Sequence, residues 1–98
     1  MFDKMKQLME MQKKMQEMKR ELDNTIFEVA SADGLLKVTM NGSQEVKEVR
    51  IQGNPKDLEK DALEKAMKDA YNRAIKRSHD IAAEKMKNIT GLNLPGLV

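Results

Sequence analysis

Residues 25–51, TIFEVASADGLLKVTMNGSQEVKEVRI, contain three short runs in which apolar and polar residues alternate. A period of two is typical of strands with one buried face. Asp33-Gly34 marks a turn after the first run, and Asn41-Gly42 is a strong hairpin signal because both residues tolerate positive φ. The alternation slips between Val46 and Val49, which predicts a bulge or a longer loop there. The stretch therefore predicts a three-stranded antiparallel meander.

Residues 2–22, before this stretch, carry a heptad pattern of apolar side chains that predicts a helix. About 30 Å of helix is more than one small core needs, so we expect it to lie against a second long helix. The same pattern could form a plastic peptide-binding groove, since methionine adapts to varied partners. We expect a packed seam that serves packing or dimerisation, here called the methionine seam: Leu8, Met11, Met15, Met18 and Leu22.

After the three predicted strands, the pattern of residues 55–90 predicts a second long helix. Asn54 is its expected cap, and Pro55 stands in its first turn. Its apolar face is broader than one neighbour needs, which indicates burial against more than one element. Gly91 should end the helix. Residues 91–98 form an apolar tail that we expect to dock on the body or on a partner.

Length and composition limit the function. The 98 residues make one small domain, with three aromatic residues and no cysteine. His79 has no second histidine beside it, and no nucleophile or phosphate-loop motif occurs, so we expect no enzyme, cofactor, metal site or small-molecule substrate. The apolar runs are too short to span a membrane, which favours a cytoplasmic protein.

Charge is unevenly distributed, although the net charge is only +2. The two terminal segments each carry an excess of +2, and residues 23–55 carry −2. Two rows of cations could contact phosphates, one on each helix. Both rows could instead be ordinary solvated faces, because acidic residues stand three or four positions from several of the cations. The candidate nucleic-acid-binding residues are Lys6, Lys13, Arg20, Arg73, Lys76, Arg77 and Lys87.

A set of short motifs, in this order, is similar to the YbaB/EbfC family of bacterial nucleoid-associated proteins. The motifs are Gly34-Leu35-Leu36-Lys37-Val38, Asn41-Gly42, Glu45-Val46 through Ile51, Ala70-Tyr71-Asn72 with Ala74, Glu84-Lys85-Met86, and Gly91-Leu92-Asn93-Leu94-Pro95-Gly96. Three features depart from the family pattern. The Gly-rich lead is missing, the segment after Ile51 is short, and Arg73 stands where an acidic residue is usual.

The resemblance implies a tweezer-like homodimer, with paired sheets at the centre and helical arms, that binds duplex DNA with little sequence preference and changes its conformation. We therefore expect an α+β fold ordered α-β-β-β-α. It comprises a helical arm (1–22), a three-stranded sheet (25–51), a long helix (55–90) and an apolar tail (91–98). The expected function is DNA binding in the nucleoid, mainly through phosphates. The alternative is a helical adaptor that docks on another protein through its Met-rich helix and apolar tail.

Overall fold

The computed structural model describes residues 2–90, with side chains from residue 3 to residue 88. Helix α1 (Phe2–Asn24) precedes strands β1 (Ile26–Ala30), β2 (Leu36–Asn41) and β3 (Val46–Ile51). A short 3-10 helix (Pro55–Asp57) and the long helix α2 (Lys60–Thr90) follow. The strands form an antiparallel sheet in the order β1-β2-β3. The α-β-β-β-α order is confirmed, whereas the tail and Gly91 lie outside the described residues.

The register of β2 against β3 contains the predicted bulge. Thr39 pairs with Glu48, but the next residue, Met40, pairs with Val46. Lys47 is therefore the extra residue on β3. The bulge restores the alternation, so that Val46 and Val49 lie on the same sheet face as their partners Met40 and Val38.

The hairpin at Asn41-Gly42 forms as predicted, but the expected backbone reason is wrong. The residue with positive φ in this loop is Gln44, at 64°. Gly42 is needed for space, because a Cβ there would lie 2.9 Å from Leu22 Cδ2 and 3.0 Å from the Leu22 carbonyl oxygen. The buried Asn41 side chain holds the loop, since its Oδ1 accepts from the backbone N–H of Ser43 (3.0 Å) and of Glu45 (2.9 Å).

The long helix starts later than predicted. Asn54 does act as a cap, accepting from the Lys56 N–H at 3.0 Å, but it caps the 3-10 helix. Leu58 then adopts extended backbone (φ −94°, ψ 129°), which interrupts the helical path. Because the chain can resume helical dihedrals only after this residue, α2 begins at Lys60, and one continuous helix from residue 55 is wrong.

The core lies between α2 and one face of the sheet. Leu36, Val38 and Met40 of β2 meet a row of alanines on α2, with Phe27, Val29, Leu35 and Leu63 packed around them. The alanines, Ala66, Ala70 and Ala74, recur every four residues and so form one stripe. Small side chains let the helix axis approach the sheet closely. The helix packs mainly over β2 and β1, and every residue of β3 is exposed.

Helices α1 and α2 meet at a corner of the sheet and run on as an arm. The Gly42 N–H donates to the Leu22 carbonyl (2.9 Å), and the Ser78 hydroxyl donates to the Gly42 carbonyl (2.9 Å). Further along, Lys85 Nζ lies 3.5 Å from Glu21 Oε2. The helices are therefore antiparallel. The 67 Å longest dimension exceeds the roughly 46 Å length of α2 alone, because α1 projects beyond its end.

Candidate nucleic-acid interface

Three of the predicted cations meet on the β1 side of α2. The buried Ala74 and Ser78 fix the rotation of the helix against the sheet, and this rotation directs the cations toward the end of β1. Here they border a shallow cleft of about 370 Å³. The cleft is lined by Val29, Ala30, Arg73, Lys76, Arg77 and Asp80, and we call it the cationic cleft.

Asp69 joins this side of α2 to the turn between β1 and β2. Its carboxylate accepts from the Ala32 N–H at 2.7 Å and from Arg73 Nε at 3.0 Å. The bond from the Ala32 N–H, and then that from Arg73, lower the pKa of Asp69 below its ordinary value of 3.8. Asp69 therefore stays charged at neutral pH and holds Arg73 at the edge of the cleft.

The remaining charges of the cationic cleft are loosely held. Lys76 Nζ lies 3.4 Å from Asp80 Oδ2, and Arg77 makes no ion pair with any described residue. Arg73, Lys76 and Arg77 are all exposed. Exposed ion pairs of this kind contribute little to stability, about 0–1 kcal/mol each. An incoming anion can therefore displace the Asp80 carboxylate from Lys76 at small cost.

The other predicted DNA-binding residues lie outside the cleft. Lys87 is exposed on α2, about 15 Å beyond Arg77 at helical rise. Lys6, Lys13 and Arg20 are exposed on α1, in the arm. These three cations make no ion pair among the described residues. Asp3, Glu10 and Glu17, which stand three positions before them, therefore do not pair with them.

The methionine seam is buried at one end only. Met18 is buried and Leu22 is half-buried at the end where α1 packs against α2. Leu8, Met11 and Met15 are exposed. Within the described chain the seam therefore packs only near the corner, and the role of its outer half in dimerisation stays a prediction.

A second apolar surface was only partly predictable from sequence. The broad stripe on α2 indicated a second neighbour, and its flank, Met67 and Tyr71, is exposed beside β3. These two residues border an open groove of about 310 Å³, which we call the β3 groove. Its lining is Leu36, Val38, Val46, Val49, Met67, Lys68 and Tyr71. The sequence pattern could not show which strand α2 leaves uncovered, because all three strands alternate alike.

The described residues also bear on metal binding and membrane insertion. Within residues 2–90 there is no group of three or more His, Cys, Asp or Glu side chains that could hold a metal ion. No helix in this part of the chain is both long and apolar enough to cross a membrane. His79 is half-buried on α2.

Comparison with known proteins gives consistent matches along the chain. The model of the YbaB/EbfC DNA-binding family matches residues 1–93. A nucleoid-associated protein of Dictyoglomus turgidum is 37% identical over 100 residues, covering 96% of this chain and 92% of its own. One of Clostridium kluyveri is 35% identical over 97 residues, covering 95% and 83%.

A solved structure has the same fold. The crystal structure of an uncharacterised protein from Helicobacter pylori matches with a TM-score of 0.68. The match covers 87% of this chain and 98% of the other, at 22% sequence identity. At this identity the likeness establishes the arrangement of helices and strands.

Proposed function

This chain belongs to the YbaB/EbfC DNA-binding family, and we propose that it is a non-enzymatic, nucleoid-associated protein that binds duplex DNA through phosphate contacts. The single observation that carries the phosphate proposal is the cationic cleft. Arg73, Lys76 and Arg77 come together there on a rigid helix, at an exposed edge of the molecule. Such a cluster suits the negative charge of a DNA backbone.

The cleft suits phosphates better than base edges. Arginine can bind a phosphate with two parallel N–H bonds, and lysine adds a point charge. The cations of the cleft project from successive turns of a helix that is itself packed on the sheet, so this helix cannot enter a major groove as a separate reading element. Contacts with phosphates position a protein without reading sequence. We therefore expect low sequence preference.

The arm extends the proposed surface. Lys6, Lys13 and Arg20 recur every seven residues and span about 21 Å at helical rise, so they form one row along α1. Because no described carboxylate pairs with them, their charge is available to an external anion. Lys87 adds a cation on α2 beyond the cleft. The proposed DNA-binding residues are thus the three cations of the cleft, Lys87 and this row: Arg73, Lys76, Arg77, Lys87, Lys6, Lys13 and Arg20.

We propose that the protein acts as a homodimer joined through the β3 groove. β3 is an edge strand, and it carries Val46, Val49 and Ile51 with about half of each side chain exposed. An exposed apolar edge strand is prone to pair with another chain, and proteins usually cover it. A second copy could cover this edge with its own β3. The sheets would then lie at the centre of the dimer with the arms outside.

The test of the DNA proposal compares matched triple variants in a salt-titrated binding assay with unrelated duplexes. A dimer engaging four to six phosphates should show a log–log salt slope of about −4 to −5. Replacing Arg73, Lys76 and Arg77 together by Gln should lower affinity evenly across the duplexes and flatten this slope. The triple at Lys6, Lys13 and Arg20 should do the same if the arm shares the surface.

The control triple replaces Lys56, Lys60 and Lys65 by Gln, which removes the same charge from the 3-10 helix and the start of α2. It should keep most of the affinity. Equal losses in all three variants would indicate a net-charge effect without a defined site. Strong discrimination between duplexes would indicate base readout and contradict the proposal.

One observation favours a second candidate function, that of an adaptor binding another protein. The outer part of α1 exposes Met5, Leu8, Met9 and Met11 on an extended arm. Flexible methionine-rich surfaces can accept varied partner helices. An adaptor would form complexes with protein partners that persist after nuclease treatment. It would show little affinity for DNA at moderate salt.

A further inference from the structure

One apolar stripe runs along α1, and within the described part of the chain it is covered at one end only. The exposed fraction is 8% at Met18, 49% at Met15, 64% at Met11 and 67% at Leu8. Exposure thus rises steadily toward the start of the helix, and Met5 continues the stripe at 64%. The outer stripe, defined here as Met5, Leu8, Met11 and Met15, is the direct continuation of a packed interface.

The outer stripe begins beside the C-terminal end of α2. Ser78 and Leu22 both bond to Gly42 at the corner, and Thr90 lies twelve residues beyond Ser78, about 18 Å at helical rise. Aligning the antiparallel helices on this corner, or on the contact between Lys85 and Glu21, places Thr90 beside roughly residues 10–16 of α1. The chain that follows Thr90 therefore starts next to the outer stripe.

The following segment has suitable length and composition to cover it. Residues 91–98, GLNLPGLV, contain Leu92, Leu94, Leu97 and Val98 and no charged side chain. Eight extended residues reach about 26 Å. The distance along α1 from residue 13 to residue 5 is only about 12 Å. We propose that residues 91–98 dock on the outer stripe of α1 in the same chain.

The covalent link to α2 and the methionine side chains of the outer stripe both favour residues 91–98 as the segment that docks there. A segment attached at the edge of its binding site is present at a high effective concentration, which a tail from another molecule lacks. Pro95-Gly96 is unsuited to a regular helix, so the segment needs a surface that adapts to an irregular shape. Methionine side chains are flexible and provide such a surface. Docking would also remove a contiguous apolar patch from water.

The first test measures methionine oxidation by dilute hydrogen peroxide, quantified by peptide mass spectrometry on the full chain. Replacing Leu94 and Leu97 by Glu should release the tail. Met5 and Met11 should then oxidise severalfold faster than in the unaltered chain, because sulfoxide formation follows exposure. Met67, on the other side of the molecule, serves as the internal reference and should not change. The control variant replaces Asn88 and Asn93 by Glu and should leave all rates unchanged.

The second test identifies the chain to which the tail belongs. The protein has no cysteine, so Met11→Cys with Leu94→Cys introduces one defined pair. Mild oxidation should give a disulfide within one chain, whereas Lys13→Cys with Leu94→Cys, on the opposite face of α1, should react far less. Disulfides only between chains would assign the stripe to a second copy and overturn the proposal. Unchanged oxidation rates in the Glu variant, or equal crosslinking of both pairs, would also overturn it.

Discussion

Individual residues show that similar turn signals have different physical causes. Asp33-Gly34 and Asn41-Gly42 look alike in the sequence. Gly34 has φ of 74° and open space around it, so it is present for its backbone conformation. Gly42 is buried against Leu22, so it is present for its lack of a side chain. Each glycine is therefore sensitive to a different substitution.

The first prediction separates these two causes with asparagine, which tolerates positive φ but has a side chain. Gly34→Asn should lower the free energy of unfolding by less than about 1 kcal/mol, because asparagine visits this region readily. Gly42→Asn should cost about 1–3 kcal/mol or more, because Leu22 and the end of α1 must move. Urea unfolding of both variants would measure this. Equal costs would show that the contact between Gly42 and Leu22 does not constrain the fold.

The second prediction concerns the charge of Asp69. Its pKa is lowered in the folded protein, chiefly by the N–H of Ala32 and then by Arg73. A lowered folded pKa contributes stability above the ordinary value of 3.8, and this contribution is lost as the pH falls through the lowered pKa. Asp69→Asn should thus be less stable than the unaltered protein at neutral pH, and the difference should shrink in acid.

Unfolding in urea at neutral pH and near pH 2 would test this dependence. Asp57→Asn is the charge-matched control, since the Asp57 side chain makes no hydrogen bond or ion pair with any described residue. A difference for Asp69→Asn that stays constant across this pH range would contradict the interpretation.

At the scale of elements, the position of α2 depends on its stripe of small residues. Ala70 and Ala74 are fully buried against β2, and larger side chains would push the helix away from the sheet. Ala70→Leu should therefore lower the free energy of unfolding by about 1–3 kcal/mol or more. Asn72→Leu adds an apolar side chain on the exposed side of the same helix and should change stability by less than about 0.5 kcal/mol. Thermal or urea unfolding measures both, and comparable losses would exclude close packing as the cause.

Most of the helices and strands were predictable from the sequence, because hydrophobic periodicity and turn residues determine local structure. The start of α1, the three strands and the slip between Val46 and Val49 follow from spacing alone, whereas α1 ends two residues later than predicted, at Asn24. The start of α2 did not follow, because the cap and proline signals at Asn54-Pro55 are equally compatible with a short 3-10 helix. The extended backbone of the half-buried Leu58 interrupts the helical path, and no local pattern predicts it.

The candidate site was predictable in part for a similar reason. Arg73, Lys76 and Arg77 share a helix, so their proximity follows from helical spacing. Their position beside Val29 and Ala30 depends on the side of α2 that packs on the sheet. The bond from Ala32 to Asp69 joins residues 37 positions apart and needs the tertiary fold.

At the scale of the whole molecule, the exposed apolar side chains of β3 favour a dimer over a monomer. The last prediction places Arg at Val49, in the middle of the β3 groove. Burying an unpaired charge in an apolar contact is costly, so Val49→Arg should sediment at the 11.2 kDa chain mass, whereas we expect the unaltered protein to sediment at twice this mass. Thr39→Arg is the control, since it adds the same charge on the opposite face of the sheet and should remain dimeric.

The same variant links assembly to DNA binding. A monomer carries one cationic cleft and one arm, so its salt slope should fall to about −2, half that of the dimer. The added arginine by itself would raise affinity and steepen the slope, and a decrease could therefore come only from the loss of the second subunit. A monomeric variant with an unchanged slope would mean that one subunit holds the entire DNA contact. A dimeric variant would show that the subunits meet on a surface other than the β3 groove.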